Sequence, residues 1–510
     1  MAASAQNPKP APASLEVLES LASQHITPYH LYDGVGIEEG AKQLIGQFQA
    51  AGFDFTQFYA VKALPNPAIL ALLLRAGCGL DCSSTAELYI ARKLGVPGDK
   101  IMYTSNYTSK EDLAWAVNQG VILNLDDASL VDAVAENGKF PDLICFRLNP
   151  GLGRTDSSTV SNVLGGPDAK FGVPPDQIVD AYRRAKAAGA TRFGIHMMTG
   201  SCVLNEEYWS ETVAALVDTM AKVQAEVGID AFEFLNIGGG MGVAYKPDEM
   251  PVDVPALVAR LRRTLDAALA RAGIPQPKRL FMENGRFVTG PHGWLVTRVQ
   301  ATKQAFGAKY LGVDANMAHL MRPGMYSSYH HISVPAHEGS LRVPTNVVGT
   351  LCENNDWFAK GRPLPEGAGK GDLLILHDTG AHGSSMGFQY NGKLRAPELL
   401  LRGGGRVEVI RDRETYDVLY SNTHLPKDLA PGGKQLSFAD GPTIGATMSK
   451  TPVSQPGSMQ VEPEQGAEAS AQPSASGVCW WATGTGLAGL AIGAAAAWLL
   501  SSRRRPTTSP

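Results

Sequence analysis

Four groups in this chain are suited to chemistry by type and setting. Lys62 stands in FYAVKALPNP, behind Phe58, Tyr59, Ala60 and Val61. An amine at the rim of an apolar wall is desolvated, which lowers its pKa and makes it a nucleophile able to condense with a carbonyl. Gly238, Gly239 and Gly240, in FLNIGGGMG, carry no side chains, so their backbone N–H groups can approach a phosphate. Glu283, in FMENGR, offers a carboxylate that can hold a heteroaromatic nitrogen protonated, and His196, in FGIHMM, a ring that can stack on such a heterocycle. Alone, each has a plainer reading: a snorkelling lysine, a turn, a solvated acid, a hydrogen-bonded core histidine.

The elements that must position these groups decide between the readings. Eight short β-rich runs alternate with amphipathic helical segments: QFYAVK (57–62), CGLDCSS (78–84), KIMYTS (100–105), VILNLDD (121–127), LICFRLNP (143–150), FGIHMM (193–198), FEFLNIGGG (232–240) and RLFMENGR (279–286). Several intervening helices stop at glycine, as in PAILALLLRAG and TAELYIARKLG. This pattern predicts an α/β fold, a closed (β/α)8 TIM barrel over residues 45–300. Its strand ends carry Lys62, Asp81, Thr104 with Ser105, Asp126, Arg147 with Asn149, His196, the three glycines, and Glu283 with Arg286. In such a barrel these ends converge on one mouth. A lysine, a phosphate turn and a ring-nitrogen acid on one mouth together specify pyridoxal 5′-phosphate far better than any one of them does.

Past residue 300, runs such as YLGVDA, NVVGTLCE and DLLILHDTG lie between Gly/Pro turns, which predicts a mainly β domain over 301–435, sandwich-like or barrel-like. The segment 25–44, with HITPYHLYD, is expected to join it. Residues 1–24 read as a flexible arm with no secretory signal, and 436–477, rich in Ser, Pro, Gly, Gln and Glu, as a disordered linker. Residues 478–500 hold no charge, and a helix of that length reaches about 34 Å, enough to cross a hydrocarbon core of about 30 Å. Trp480, Trp481 and Trp498 near its ends and a short basic tail, 501–510, complete the pattern of a transmembrane tail anchor whose folded body faces the cytosol. The outer mitochondrial membrane or the peroxisome suits such a tail.

With 45 basic and 49 acidic side chains in 510 residues, the chain has no field for nucleic acid. Six cysteines without a CxxC pair imply neither a disulfide framework nor a metal site, and a reducing compartment fits.

The segments FYAVKALPNP, GLDCSSTAEL, IMYTSN, GIHMMTGS, LNIGGGMG, MENGR, LMRPGMYSSYH, LCENNDWFA and HDTGAHGSSMGFQYNGKLRAPELLL resemble, in order, those of the alanine-racemase-type barrel family of pyridoxal-phosphate enzymes. Over about residues 25–425 the resemblance is to its diaminopimelate decarboxylase branch. It implies that Lys62 carries the cofactor and that His196 stacks on its ring. Ser201, the three glycines and the Glu283–Arg286 turn, which includes Gly285, would hold the phosphate. Glu283 would also face the pyridine nitrogen, with Asp81 and His382 beside the cofactor. Arg286, Arg322, Tyr326 and His382 would meet the substrate. Cys352 and Glu353 would reach the active site of a second copy in a head-to-tail homodimer, and Cys352 or Lys62 would return the final proton.

Two departures stand out. The family's Glu-Pro-Gly-Arg is Glu283-Asn284-Gly285-Arg286 here, which keeps both charged ends. Its Gly-Ala-Tyr is Gly380-Ala381-His382, which changes a residue next to the substrate's far end. The leading expectation is decarboxylation of meso-diaminopimelate to L-lysine, because Arg322 can pair with a distal carboxylate. The alternatives are decarboxylation of ornithine, arginine, lysine or a D-amino acid, racemization, or a catalytically inactive regulatory role.

Overall fold

Residues 9–153 and 164–430 are described in the computed structural model of the protein. The expected linker, membrane span and basic tail lie outside them. Among the described residues no helix is long and apolar enough to cross a membrane.

The chain opens with helix α1 (Leu15–His25), capped by the Ser14 hydroxyl, which accepts from the Val17 N–H. Leu18, Leu21 and Ala22 are buried against Tyr29, Leu31 and Val296. This corrects the flexible arm expected over 1–24 for residues 15–24; residues 1–8 lie outside the described residues. The Pro/Ala-rich start hides apolar residues at helical spacing, and their burial orders the segment. Strand β1 (Tyr29–Asp33) and helix α2 (Gly34–Ala50) follow.

Eight parallel strands then close into a barrel: β2 (Phe55–Ala60), β3 (Gly79–Cys82), β4 (Ile101–Ser105), β5 (Ile122–Leu125), β6 (Leu143–Leu148), β7 (Arg192–Met197), β8 (Phe234–Asn236) and β9 (Arg279–Met282). The pairing of β9 with β2 completes the ring. Phe58, Met102, Ile122, Cys145, Phe234 and Phe281 form a core of their own, with the Phe234 and Phe281 rings stacked at 4.5 Å. A side chain at Gly194 would overlap the Phe234 ring, so that strand position needs glycine.

Each expected strand is present, but most end earlier than the apolar runs do. The first stops at Ala60, and Lys62 lies in a single 3-10 turn, Val61–Ala63. The cause is the next element: Asn66 caps the helix Pro67–Arg75 by accepting from the Ala68 N–H, so the chain must leave the sheet before it.

The second body is a nine-stranded sheet that also includes β10 (Gly293–Ala305), β11 (Ala308–Val313), β12 (Ile332–Ser333), β13 (Arg342–Val348), β14 (Trp357–Pro365), β15 (Leu373–Leu376), β16 (Glu398–Leu401) and β17 (Val407–Arg411). Its main path runs β14-β13-β11-β10-β1-β16-β17, with β15 joining β10 to β12. Strand β1 lies antiparallel to β10 and parallel to β16, with Leu31 opposite Trp294 and Leu399. After the barrel the sheet resumes at Gly293, ahead of the boundary expected at residue 300. Buried Glu398 ties it to the barrel: it accepts from Asn66 Nδ2 at 2.7 Å and also bonds Ser384 and Arg411.

Candidate active site

A cavity of about 330 Å³ opens at the strand ends, a size suited to a small molecule. Lys62, Asp81, His196, Ser201, Gly240, Glu283, Gly285, Arg286, Arg322, Tyr326 and His382 all line it. Gly238 and Gly239 stand beside it, in the turn that Gly240 completes. Lys62 is exposed, so the apolar wall behind it does not desolvate it as its place in the sequence implied.

Two buried acids behave oppositely. Asp81 is pushed well above the usual carboxylate range, first by burial and then by the negative charge of Glu283, and its Oδ1 has no hydrogen-bond partner. Burial also works to raise Glu283, but the adjacent His196 ring, the hydrogen bond from Asn236 and the charge of Lys62 outweigh it and hold Glu283 low. Asn236 Nδ2 donates to Glu283 Oε1 at 2.7 Å, and His196 Nε2 lies 3.2 Å from Glu283 Oε2. One acid therefore keeps its proton while the other stays ionised, a division of roles that environment alone imposes. His196 is fully buried, and neither ring nitrogen makes a hydrogen bond.

The glycine turn is built for close approach. Gly238 and Gly240 have φ of 67° and 88°, and a Cβ on Gly238 would sit 2.5 Å from the Met197 carbonyl oxygen. The Gly238 N–H donates to Asn236 Oδ1 at 2.9 Å, so one asparagine sets both the turn and Glu283. Across from it, Arg286 donates to Tyr245 Oη at 2.9 Å and to Ser201 Oγ at 3.4 Å, while its Nε lacks a partner.

Arg322 is buried in the short helix Arg322–Tyr326. His330 Nδ1 lies 2.8 Å from the His377 carbonyl, which can only accept, so Nδ1 carries the proton. His330 Nε2 then accepts from Arg322 Nη1 at 2.7 Å. The guanidinium also lies over the Tyr245 ring, 4.7 Å from its centre. His382, half-buried with φ of 55°, is pushed well below the usual imidazole range by burial and by Arg286, Arg322 and Lys62. It adds no charge to a wall that already holds three cations. Its backbone N–H donates to the Ala63 carbonyl at 2.9 Å, and Ser385 Oγ donates to the same oxygen at 3.0 Å, so this loop clamps the Lys62 turn.

Cys352 and Glu353 do not line this cavity. They sit on an exposed loop shaped by buried Asp356, which accepts from the Leu351 and Met317 N–H groups, and by Asn391, which accepts from the Cys352 N–H. Asn236, Tyr245, His330 and Asp356 escape the sequence reading. Asn236 had a signal, a polar residue inside the apolar FLNI run. Tyr245 and His330 had none, because Arg286, the partner of Tyr245, and His377, which orients His330, lie far along the chain.

Residues 37–290 match the family described as "Pyridoxal-dependent decarboxylase, pyridoxal binding domain". The chain is 41% identical to Protein TabA of Pseudomonas amygdali pv. tabaci over 79% of this chain and 92% of that one. It is 35% identical to the diaminopimelate decarboxylase of Methanothermobacter thermautotrophicus, over 80% and 94% of the two chains. The crystal structure of diaminopimelate decarboxylase from Helicobacter pylori complexed with L-lysine superposes with a TM-score of 0.71 at 29% identity, covering 79% of this chain and 98% of that one. The cavity suits a pyridoxal group: an exposed lysine, a buried imidazole with unpartnered nitrogens, an ionised acid and a glycine turn converge on it.

Proposed function

We propose, since the chain belongs to the pyridoxal-dependent decarboxylases, that it converts meso-2,6-diaminopimelate to L-lysine and carbon dioxide. One observation carries the choice of substrate. Three guanidinium groups, Arg147, Arg286 and Arg322, line the same cavity as Lys62, and His382 beside the last two is neutral. Fixed positive charge attracts a carboxylate and repels an ammonium. Diaminopimelate carries a carboxylate at its far end; ornithine and lysine carry only an ammonium there.

When bound, pyridoxal 5′-phosphate supplies an electron sink for the pair left behind as carbon dioxide departs. The chain's own residues do the rest. Lys62 presents the amine that anchors the cofactor, and ionised Glu283 holds a proton on the pyridine nitrogen. His196 braces the ring face, and protonated Asp81 stands by without adding a second negative charge. Ser201, the Gly238–Gly240 turn and the Gly285 backbone receive the phosphate. Arg286, Arg322, Tyr326 and His382 orient the substrate. Carbon dioxide release measured over a panel of amino acids tests the assignment: meso-diaminopimelate is expected to be turned over fastest, and preference for ornithine, arginine or lysine would overturn it.

The exposed Cys352–Glu353 loop is assigned to the cavity of a second copy, where Cys352 returns the last proton and Glu353 meets the substrate's distal ammonium. Residues 478–500, without a charge and flanked by tryptophans, are assigned to a membrane span. Deleting 478–510 is expected to move the protein from the membrane to the soluble fraction as an active dimer. Membrane retention of the truncated chain would refute the span, and an active monomer would refute the shared site.

A further inference from the structure

Lys9, far from the barrel in sequence, is half-buried. Its ammonium lies 2.8 Å from Asp378 Oδ2 and donates to the Ala244 carbonyl at 2.6 Å, and the two charged side chains are 9% and 4% exposed. A buried charge pair is expensive to form, and leaving one partner uncompensated costs more still, so its placement calls for an account. Both contacts abut the arginine-rich wall of the cavity. Ala244 precedes Tyr245, which accepts from Arg286 and underlies Arg322. Asp378 follows His377, whose carbonyl accepts from His330, the histidine that in turn accepts from Arg322. The contacts therefore form a closed circuit: Lys9, Ala244 with Tyr245, Arg322, His330, His377 with Asp378, and Lys9 again. Asp378 has φ of 58°, a conformation that an aspartate holds at some cost and that a fixed ion pair can maintain.

We propose that Lys9, which does not itself line the cavity, is a positioning residue that fixes Arg286 and Arg322 for the substrate's distal carboxylate. The inference rests on the function proposed above and extends it: the segment ahead of α1 adds a charged tie between the Ala244–Tyr245 and His377–Asp378 stretches, which otherwise meet through Arg322 and the Tyr245–His330 ring contact. Without the ammonium, the Tyr245 side and the His377 side of the wall are joined through Arg322 and the edge contact of the Tyr245 and His330 rings, 5.1 Å between centres, and the Arg322 guanidinium is then less well placed.

The test uses the full-length, cofactor-loaded protein. Lys9→Met keeps most of the stem and removes the charge. It is expected to raise KM for meso-diaminopimelate roughly tenfold, with kcat within about twofold and the cofactor's visible absorption unchanged, and Lys9→Arg is expected to restore most of the loss. Wild-type KM in Lys9→Met overturns the proposal, as does a fall in kcat and cofactor content at unchanged KM. If Lys9→Met does not fold, Lys9→Met combined with Asp378→Asn removes the stranded carboxylate and is expected to show the same rise. Wild-type KM in that pair, or failure of both variants to fold, marks Lys9 as a purely structural pin and overturns the proposal. A wild-type protein without turnover of meso-diaminopimelate rejects the functional reading and this inference with it. A wild-type protein with turnover beside an unaffected Lys9→Met rejects the inference alone.

Discussion

Lys62→Ala is expected to yield a folded protein that lacks the visible absorption of lysine-bound cofactor and decarboxylates at least about 10³-fold more slowly than wild type. The loss is chemical rather than structural. Lys62 is exposed toward the cavity, and its turn is held from outside by the His382 backbone N–H and the Ser385 hydroxyl, both donating to the Ala63 carbonyl. Neither bond involves the Lys62 side chain. Its truncation is therefore expected to change stability by no more than about 0.5 kcal/mol. Absorption spectra and thermal melting of the two proteins check both halves. A Lys62→Ala variant that keeps the absorption and the rate would remove Lys62 from the chemistry.

Glu283→Gln is the second large effect, a fall of roughly 10²–10³-fold in kcat with the cofactor still bound. The substitution preserves shape and can still accept from Asn236 Nδ2, which lies 2.7 Å from the present carboxylate oxygen. What it removes is the negative charge that His196, Asn236 and Lys62 hold in place against burial. A neutral amide cannot keep a proton on a pyridine nitrogen, so the electron sink weakens although its binding site survives. Asp81 does not substitute: burial, the larger cause that holds its carboxyl above the usual range, persists when the Glu283 charge is gone. Single-turnover kinetics of Glu283→Gln at saturating cofactor measure the effect. A rate within about threefold of wild type would show that the ionised acid does not act on the ring.

The barrel and most of its mouth are legible in the sequence because strands buried on both faces appear as continuous apolar runs, and their polar ends interrupt those runs. Lys62, Asp81, His196 and Glu283 are visible for this reason. Where strands stop is less legible, since pairing partners and helix caps decide it. Lys62 falls in a turn because Asn66 and Pro67 start a helix just after it. Helix α1 is masked by the Pro/Ala-rich residues before it. The support of Arg322 is mostly not legible locally: Tyr245 meets it from a distant segment, and His330, eight residues after it, is oriented by the carbonyl of distant His377.

The central claim is that this cavity removes a carboxyl group from an amino acid whose far end is also a carboxylate. Its most direct test is to supply the purified, cofactor-loaded protein with meso-diaminopimelate and measure both products over time. Carbon dioxide and L-lysine are expected in equal amounts, with ornithine, arginine and lysine turned over at least about tenfold less efficiently, as one charged contact's difference implies. Absence of L-lysine beside efficient carbon dioxide release from one of those amino acids would contradict the account.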